Sequence, residues 1–326
     1  MPSATDIDDI LAALVRDLRA RPDEVVLVEG QRRITGVELA TAFERLPRAL
    51  AAEGMAVGQR VALAARDGID ALLVELAVAR TGAELRRLDL GTDAAAALDD
   101  ARDWAPDWII AESLVHLAAA PTPLRRYLRR RDLEFPRLAQ LQARHVRIGR
   151  WLPFAPRGSS LTGLLASSAH DALELPDAIT TSALIDAIAR ERQWMDTCGD
   201  AVLYAHEVPT LAAGLGTGAR VVVEPMAFRP ARFVADLAAH RATHAVVRDI
   251  HVAPLARHLG GHDVAPVAAL QVLAVRGSDV AGSKLTALRA FLEGGSVVVR
   301  HLVDGSPTVA DQAASVSSLD GGPVST

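Results

Sequence analysis

Apolar residues along this chain alternate between two periods, one near 3.6 and one near 2, and the alternation predicts its elements. Ile7, Ile10, Leu11, Leu14, Val15 and Leu18 follow helical spacing, which predicts a helix over 7–21. Residues 24–29 (EVVLVE) read as a short strand closed by a turn at Gly30. Thr35 followed by Glu38 is a capping-box pattern that opens a helix over about 36–53, and Gly54 suits its left-handed end. Strand 60–65, helix 69–80 closed by Gly82, strand 83–90, helix 94–104 and strand 107–111 follow in order. Strand and helix alternating in this way predict an α/β fold built from βαβ units with parallel strands.

Residues 113–165 break the rhythm, with prolines at 121, 123, 136, 153 and 156 and an arginine-dense stretch. The alternation resumes with a helix at 181–195, strand 201–204, a Gly-rich helix at 208–216, strand 219–224 and helix 230–240. Strand 243–247, helix 254–259, strand 270–275, helix 284–292 and strand 296–301 complete it. Two lobes are expected, 1–195 and 196–305, followed by a tail at 306–326 that lacks periodicity and reads as disordered.

Composition narrows the class. Half of the 326 residues are hydrophobic, mean hydropathy is slightly positive, and the net charge of −5 gives no global pull toward nucleic acid or an anionic membrane. Cys198 is the single cysteine, so no disulfide forms within the chain and a reducing compartment is expected. The opening Met1-Pro2-Ser3 and the acidic Asp6 to Asp9 do not match a signal peptide, and no apolar run is long enough to span a membrane. The expected location is the cytoplasm. Of the 35 cationic residues only Lys284 is lysine, so chemistry that needs a lysine has one choice.

Residues 34–91 (ITGVELATAFERLPRALAAEGMAVGQRVALAARDGIDALLVELAVARTGAELRRLDLG) resemble the opening of the AMP-forming acyl-CoA synthetases, the AMP-dependent synthetase and ligase superfamily. Glu38-Leu39, Leu50, Gly54, Gly58, Arg60-Val61-Ala62, Ala77 and Gly82-Ala83 carry the match, and each has a structural task. A second block agrees in order. His206 stands where the family has the histidine of its "PlfH" segment, 214–224 (GLGTGARVVVE) is similar to "l..Ga.vvl", and 228–233 (FRPARF) to "fdpe.f". Arg241-Ala242-Thr243-His244 is similar to "rvTh", and 270–277 to the strand that leads into the acyl-pocket turn. The resemblance implies the superfamily's N-terminal domain, with two packed flavodoxin-like βαβ lobes and mostly parallel sheets. It also implies an acyl pocket near Tyr204, His206, Gly214, Arg276 and Gly277.

What the resemblance implies for adenylation is not matched by the residues. The family's phosphate loop, roughly TSGTTGxPKG, aligns with 167–178, where Ser167, Ser168 and Pro176 are the only remnants. No glycine remains there, Asp171, Glu174 and Asp177 enter, and Asp177 takes the place of the motif lysine. Carboxylates beside a triphosphate repel it. The family's YGxTE, which helps hold Mg²⁺ and adenine, falls near 300–306 (RHLVDGS), where His301 and Asp304 are the nearest substitutes. The ribose-binding aspartate, hinge and small C-terminal domain of the family have no counterpart in this sequence.

Three readings follow. The first is a non-catalytic ligase-fold protein, a pseudoenzyme, that binds a partner enzyme, an acyl carrier protein, or an acyl or CoA-type small molecule, with no cofactor. The second is an acyl-activating ligase completed by a partner chain, the only reading that needs ATP and Mg²⁺. The third is an acyl-transfer enzyme with His206 as its base, against which stands a structural or pocket-lining role for that histidine. Neither membrane nor nucleic acid is expected as a partner, and the sequence does not set an oligomeric state.

Other features weigh less. His258 and His262 are separated by two glycines that break a helical metal pair, so no metal is expected. Gly214-Leu-Gly216-Thr-Gly218 lies at a helix-to-strand turn, the reverse of a dinucleotide loop. The run Arg125 to Arg131 reads either as a solvated face or as an anion site.

Overall fold

The computed structural model describes residues 7–88, 90, 93–130, 133–167, 169, 171, 173, 175, 183–195, 201–223, 228–260, 269–277 and 298–302. The expected helix at 284–292 and the tail at 306–326 lie outside them. The chain divides into two compact units, one of residues 1–200 with 206–225 and one of residues 201–205 with 226–326.

The first unit begins with α1 (Ile7–Arg19), whose apolar stripe buries Ile7, Ile10, Leu11, Leu14 and Leu18. β1 (Val25–Glu29) turns through Gly30 into β2 (Arg32–Thr35), an antiparallel partner that the sequence reading does not anticipate. Its RRIT sequence is too polar to signal a strand; β2 is instead defined by pairing along one edge of β1. α2 (Gly36–Ala52) starts with the expected capping box: Glu38 N–H donates to Thr35 Oγ1, and Thr35 N–H donates to Glu38 Oε2 at 2.8 Å.

β3 (Arg60–Ala64), α3 (Ile69–Thr81), β4 (Glu84–Arg87), α4 (Ala94–Trp104) and β5 (Trp108–Glu112) follow the predicted order. α3 is apolar nearly all round because α1, α2 and α9 (Val208–Gly216) all pack against it. The segment expected to be irregular holds α5 (Ser113–Ala119), α6 (Pro123–Arg129), a short 3₁₀ turn at Leu138–Gln140, β6 (Arg144–Ile148) and α7 (Leu161–Ala166). β6 escapes detection because its RHVRI sequence sets arginine between the apolar residues, while Val146 and Ile148 still reach the core.

β3 to β6 form an all-parallel sheet in the order β4-β3-β5-β6. Ala62, Ala64, Ile109 and Ala111 from its strands pack with Leu88, Ala101, Val115 and Leu138 into one apolar cluster. α8 (Ala183–Trp194) lies against α9, where Thr210 Oγ1 and Trp194 Nε1 both donate to buried Glu191 at 3.0 Å. β8 (Arg220–Val223) pairs in parallel with β1, which thus sits between β8 and β2.

The second unit holds β7 (Val202–Ala205), α10 (Pro230–His240), β9 (His244–Arg248), α11 (Asp249–Gly260), β10 (Val272–Arg276) and β11 (Val298–Leu302). Its strands are parallel in the order β11-β10-β9-β7. α11 starts at Asp249, five residues before the predicted start, and carries Pro254 in its interior. Apart from the β1–β2 hairpin, every pairing described is parallel, as expected for the α/β class. No helix among the described residues is long and apolar enough to cross a membrane.

Candidate functional site

Open parallel sheets bind ligands beyond the carboxyl ends of their strands, where the strand order reverses. In the first unit that point lies between β3 and β5, because the chain goes out to β4 on one side and returns to β5 on the other. Arg66 follows β3 and Glu112 ends β5. The Arg66 Nε lies 3.0 Å from both Glu112 carboxylate oxygens, and the Arg66 backbone N–H donates to Glu112 Oε1 at 2.9 Å.

One strand over, Arg87 Nη1 reaches Asp67 at 2.7 Å and Glu75 at 2.8 Å. Burial pushes Glu75 up to about 7 against the pull of Arg87. Glu29, at the end of β1, is also held above the usual carboxylate range, first by burial and then by Asp70, with Arg32 and Arg66 opposing. Its carboxylate approaches Gly68 so closely that a Cβ there would sit 2.4 Å from Glu29 Oε1. At the ends of these strands, arginines and carboxylates therefore pair with one another. Sequence reasoning missed the cluster because its members come from β1, the loop after β3, α3, β4 and β5, and no local pattern links them.

In the second unit, Arg276 ends β10 in register with Arg248 of β9, and Gly277 follows with φ +148°. A Cβ on Gly277 would lie 2.3 Å from the Asp249 side chain, so the expected acyl-pocket glycine is required by close approach to the start of α11. His301 of β11 pairs in register with Val275. Tyr204 is 1% exposed, its ring meets Phe233 edge to face at 5.3 Å, and its hydroxyl donates to Asp236 at 3.3 Å. These contacts place Tyr204 in the core beneath α10.

His206 and Gly214 belong to the first unit. His206 Nε2 lies 3.8 Å from Glu207 Oε1, a distance for electrostatic attraction but too long for a hydrogen bond. Gly214 is buried in α9, and its carbonyl accepts from Thr217 Oγ1 at 2.9 Å and Ala219 N–H at 3.0 Å, which closes the helix.

Of the segment aligned with the phosphate loop, Ser167 ends α7 and its Oγ accepts from the Ala169 N–H at 3.4 Å. Asp171 Oδ2 accepts from Arg45 Nη2 of α2 at 2.9 Å. Together with Leu173 and Leu175, Asp171 lines a hollow of about 550 Å³ whose other walls include Leu11, Val15 and Phe43 of α1 and α2. Ser168, Pro176, Asp177 and Asp304 lie outside the described residues, as do Cys198, His262 and Lys284. No group of three metal-ligating side chains occurs among the described residues.

No family model and no curated protein matches the sequence. Solved structures do match the fold. A long-chain-fatty-acid–CoA ligase from Archaeoglobus fulgidus aligns over 90% of this chain and 63% of its own, with a TM-score of 0.71 and 10% identity. A benzoate CoA ligase from Burkholderia xenovorans aligns over 91% of this chain and 61% of its own, with a TM-score of 0.69 and 14% identity. The luciferase-like enzyme of the mealworm Zophobas morio aligns over 90% of this chain and 71% of its own, with a TM-score of 0.66 and 12% identity. The chain therefore has the fold of the N-terminal domain of the AMP-dependent ligases, and it spans less than two thirds of the two CoA ligases.

Proposed function

We propose that this chain is a degenerate member of the ligase fold that does not form an adenylate and acts by binding, either to a partner enzyme or to an acyl or CoA-type ligand. The observation that carries the reading is the segment 167–178, which contains no glycine and three acidic residues. A phosphate cradle needs backbone N–H groups that a glycine-rich turn can point at one anion. Here Asp171 instead pairs with Arg45 at 2.9 Å, which commits part of the segment to the face of α2. A carboxylate brought near a triphosphate where water is excluded costs several kcal/mol. The absence of Tyr-Gly and Thr-Glu from 300–306 (RHLVDGS), where YGxTE would fall, supports the same reading.

The test is the thermal unfolding midpoint with Mg-ATP, with AMP and with a panel of acyl-CoAs. A ligand at about 100 times its Kd adds roughly 2.7 kcal/mol, a shift of a few degrees for a domain of this size. The expectation is no shift with Mg-ATP or AMP. A clear Mg-ATP shift overturns the reading and restores adenylation. A shift with an acyl-CoA alone identifies the ligand class, and silence throughout leaves the partner enzyme as the binding target.

A further inference from the structure

Beside α6 the chain forms a hollow of about 350 Å³ lined by Pro121, Thr122, Pro123, Arg125, Arg126 and Arg129. Three arginines thus line one small space. Arg129 is compensated by Glu134, with Nε 2.8 Å from Oε1. Arg125, Arg126 and nearby Arg137 have no carboxylate within ion-pair distance among the described residues. Burial and then the charges of Arg129 and Arg137 hold Arg125 below the usual arginine range, with only Glu134 opposing.

This concentration of positive charge stands out in a chain whose net charge is −5. Guanidinium forks match the tetrahedral oxygens of a phosphate in paired hydrogen bonds, and a doubly or triply charged anion would offset the repulsion among the arginines. We propose that this hollow binds the phosphate or pyrophosphate group of a small molecule. The site is independent of the proposed loss of adenylation, because none of its residues belongs to the segments that carry that reading.

Calorimetric titration of the full chain with sodium pyrophosphate at constant ionic strength tests it. One-to-one binding is expected, weakened at least about ten-fold in Arg125→Ala/Arg126→Ala, where two charge-assisted contacts are removed. It should be unchanged in Arg102→Ala, whose guanidinium pairs with Asp99 elsewhere on the surface. Arg125→Lys keeps the charge, loses the fork and should weaken binding less than the double variant; it serves as the second probe if the double variant melts at a lower temperature. No binding to the wild type, or equal affinity in the wild type and a folded double variant, overturns the proposal. ADP in a parallel titration separates two sources of the same group: equal affinity points to free pyrophosphate, and tighter binding to a nucleotide.

Discussion

Arg87 Nη1 donates to Glu75 Oε1 at 2.8 Å, and this bond ties the end of β4 to the interior of α3. The Glu75 side chain is 7% exposed, whereas that of Arg87 is 34% exposed, so the acid bears most of the desolvation. That asymmetry explains why Glu75 is pushed up to about 7 despite its cation.

A raised carboxylate gives a pH dependence of known sign. Between about 4.5, the value for an unfolded glutamate, and 7, the native state binds more protons than the unfolded one. The contribution of Glu75 to stability is therefore complete below 4.5 and lost as pH rises through 7. Glu75→Gln keeps the acceptor for Arg87 and removes the titration. Unfolding free energies from urea titrations between pH 4.5 and 7 should then rise more steeply with pH than in the wild type, by up to about 1.4 kcal/mol per pH unit. Parallel curves would mean that Glu75 is ionised in the native state throughout.

His116 gives the opposite slope. It is 5% exposed and lowered to about 4, first by burial and then by His145, whose ring centroid lies 6.0 Å away. Its contribution is present above 6.5 and lost as pH falls through 4. His116→Gln should flatten the acid limb that Glu75→Gln exposes, and the two slopes should partly cancel in the wild type between 4.5 and 6.5. The native imidazole titration in an NMR series should centre near 4; a midpoint near 6.5 would remove the basis for this slope.

Gly36 opens α2 where a Cβ would lie 2.3 Å from the Arg21 carbonyl oxygen and 2.4 Å from that of Leu18. Both obstacles are backbone, so Gly36→Ala should lower stability by about 1–3 kcal/mol through overpacking. At Gly30, φ is +58° and nothing lies within 4 Å of a Cβ, so Gly30→Ala meets conformational cost alone, about 1 kcal/mol. Denaturant midpoints of the two variants should rank in that order.

Glu191 accepts from Thr210 and Trp194 in the interface of α8 and α9. Glu191→Ala leaves two shielded donors behind and should cost about 2–4 kcal/mol, more than Thr210→Val, which removes one donor and keeps the shape. A double-mutant cycle between the two positions should show coupling above about 0.5 kcal/mol.

The elements with strong local signals were legible in the residues. The α2 capping box reads from Thr35 and Glu38, and the end of α3 from Gly82, which adopts φ +74°. The bounds of α4, α9 and α10 follow from apolar spacing and flanking turn residues. β2 and β6 were not legible, because Arg32, Arg33, Arg144 and Arg147 mask their alternation and both strands depend on a partner elsewhere in the chain. The α11 start at Asp249 was obscured by Pro254, which reads as a first-turn residue but sits within the helix.

The candidate site was legible only as a defect in a local motif, the acidic residues of 167–178. The tie between Asp171 and Arg45 needs the folded chain. So do the cluster of Arg66, Asp67, Glu75, Arg87 and Glu112 and the core position of Tyr204.

Leu27 of β1 pairs with Val221 of β8, roughly two hundred residues further along the chain. On a ribosome adding about 5–20 residues each second, the first strand therefore waits on the order of ten seconds or more for its parallel neighbour. During that interval the apolar VVLV stretch of β1 has only the polar β2 beside it. Nascent chains that stop short of β8 would keep one strand edge open, which makes them natural clients for a chaperone.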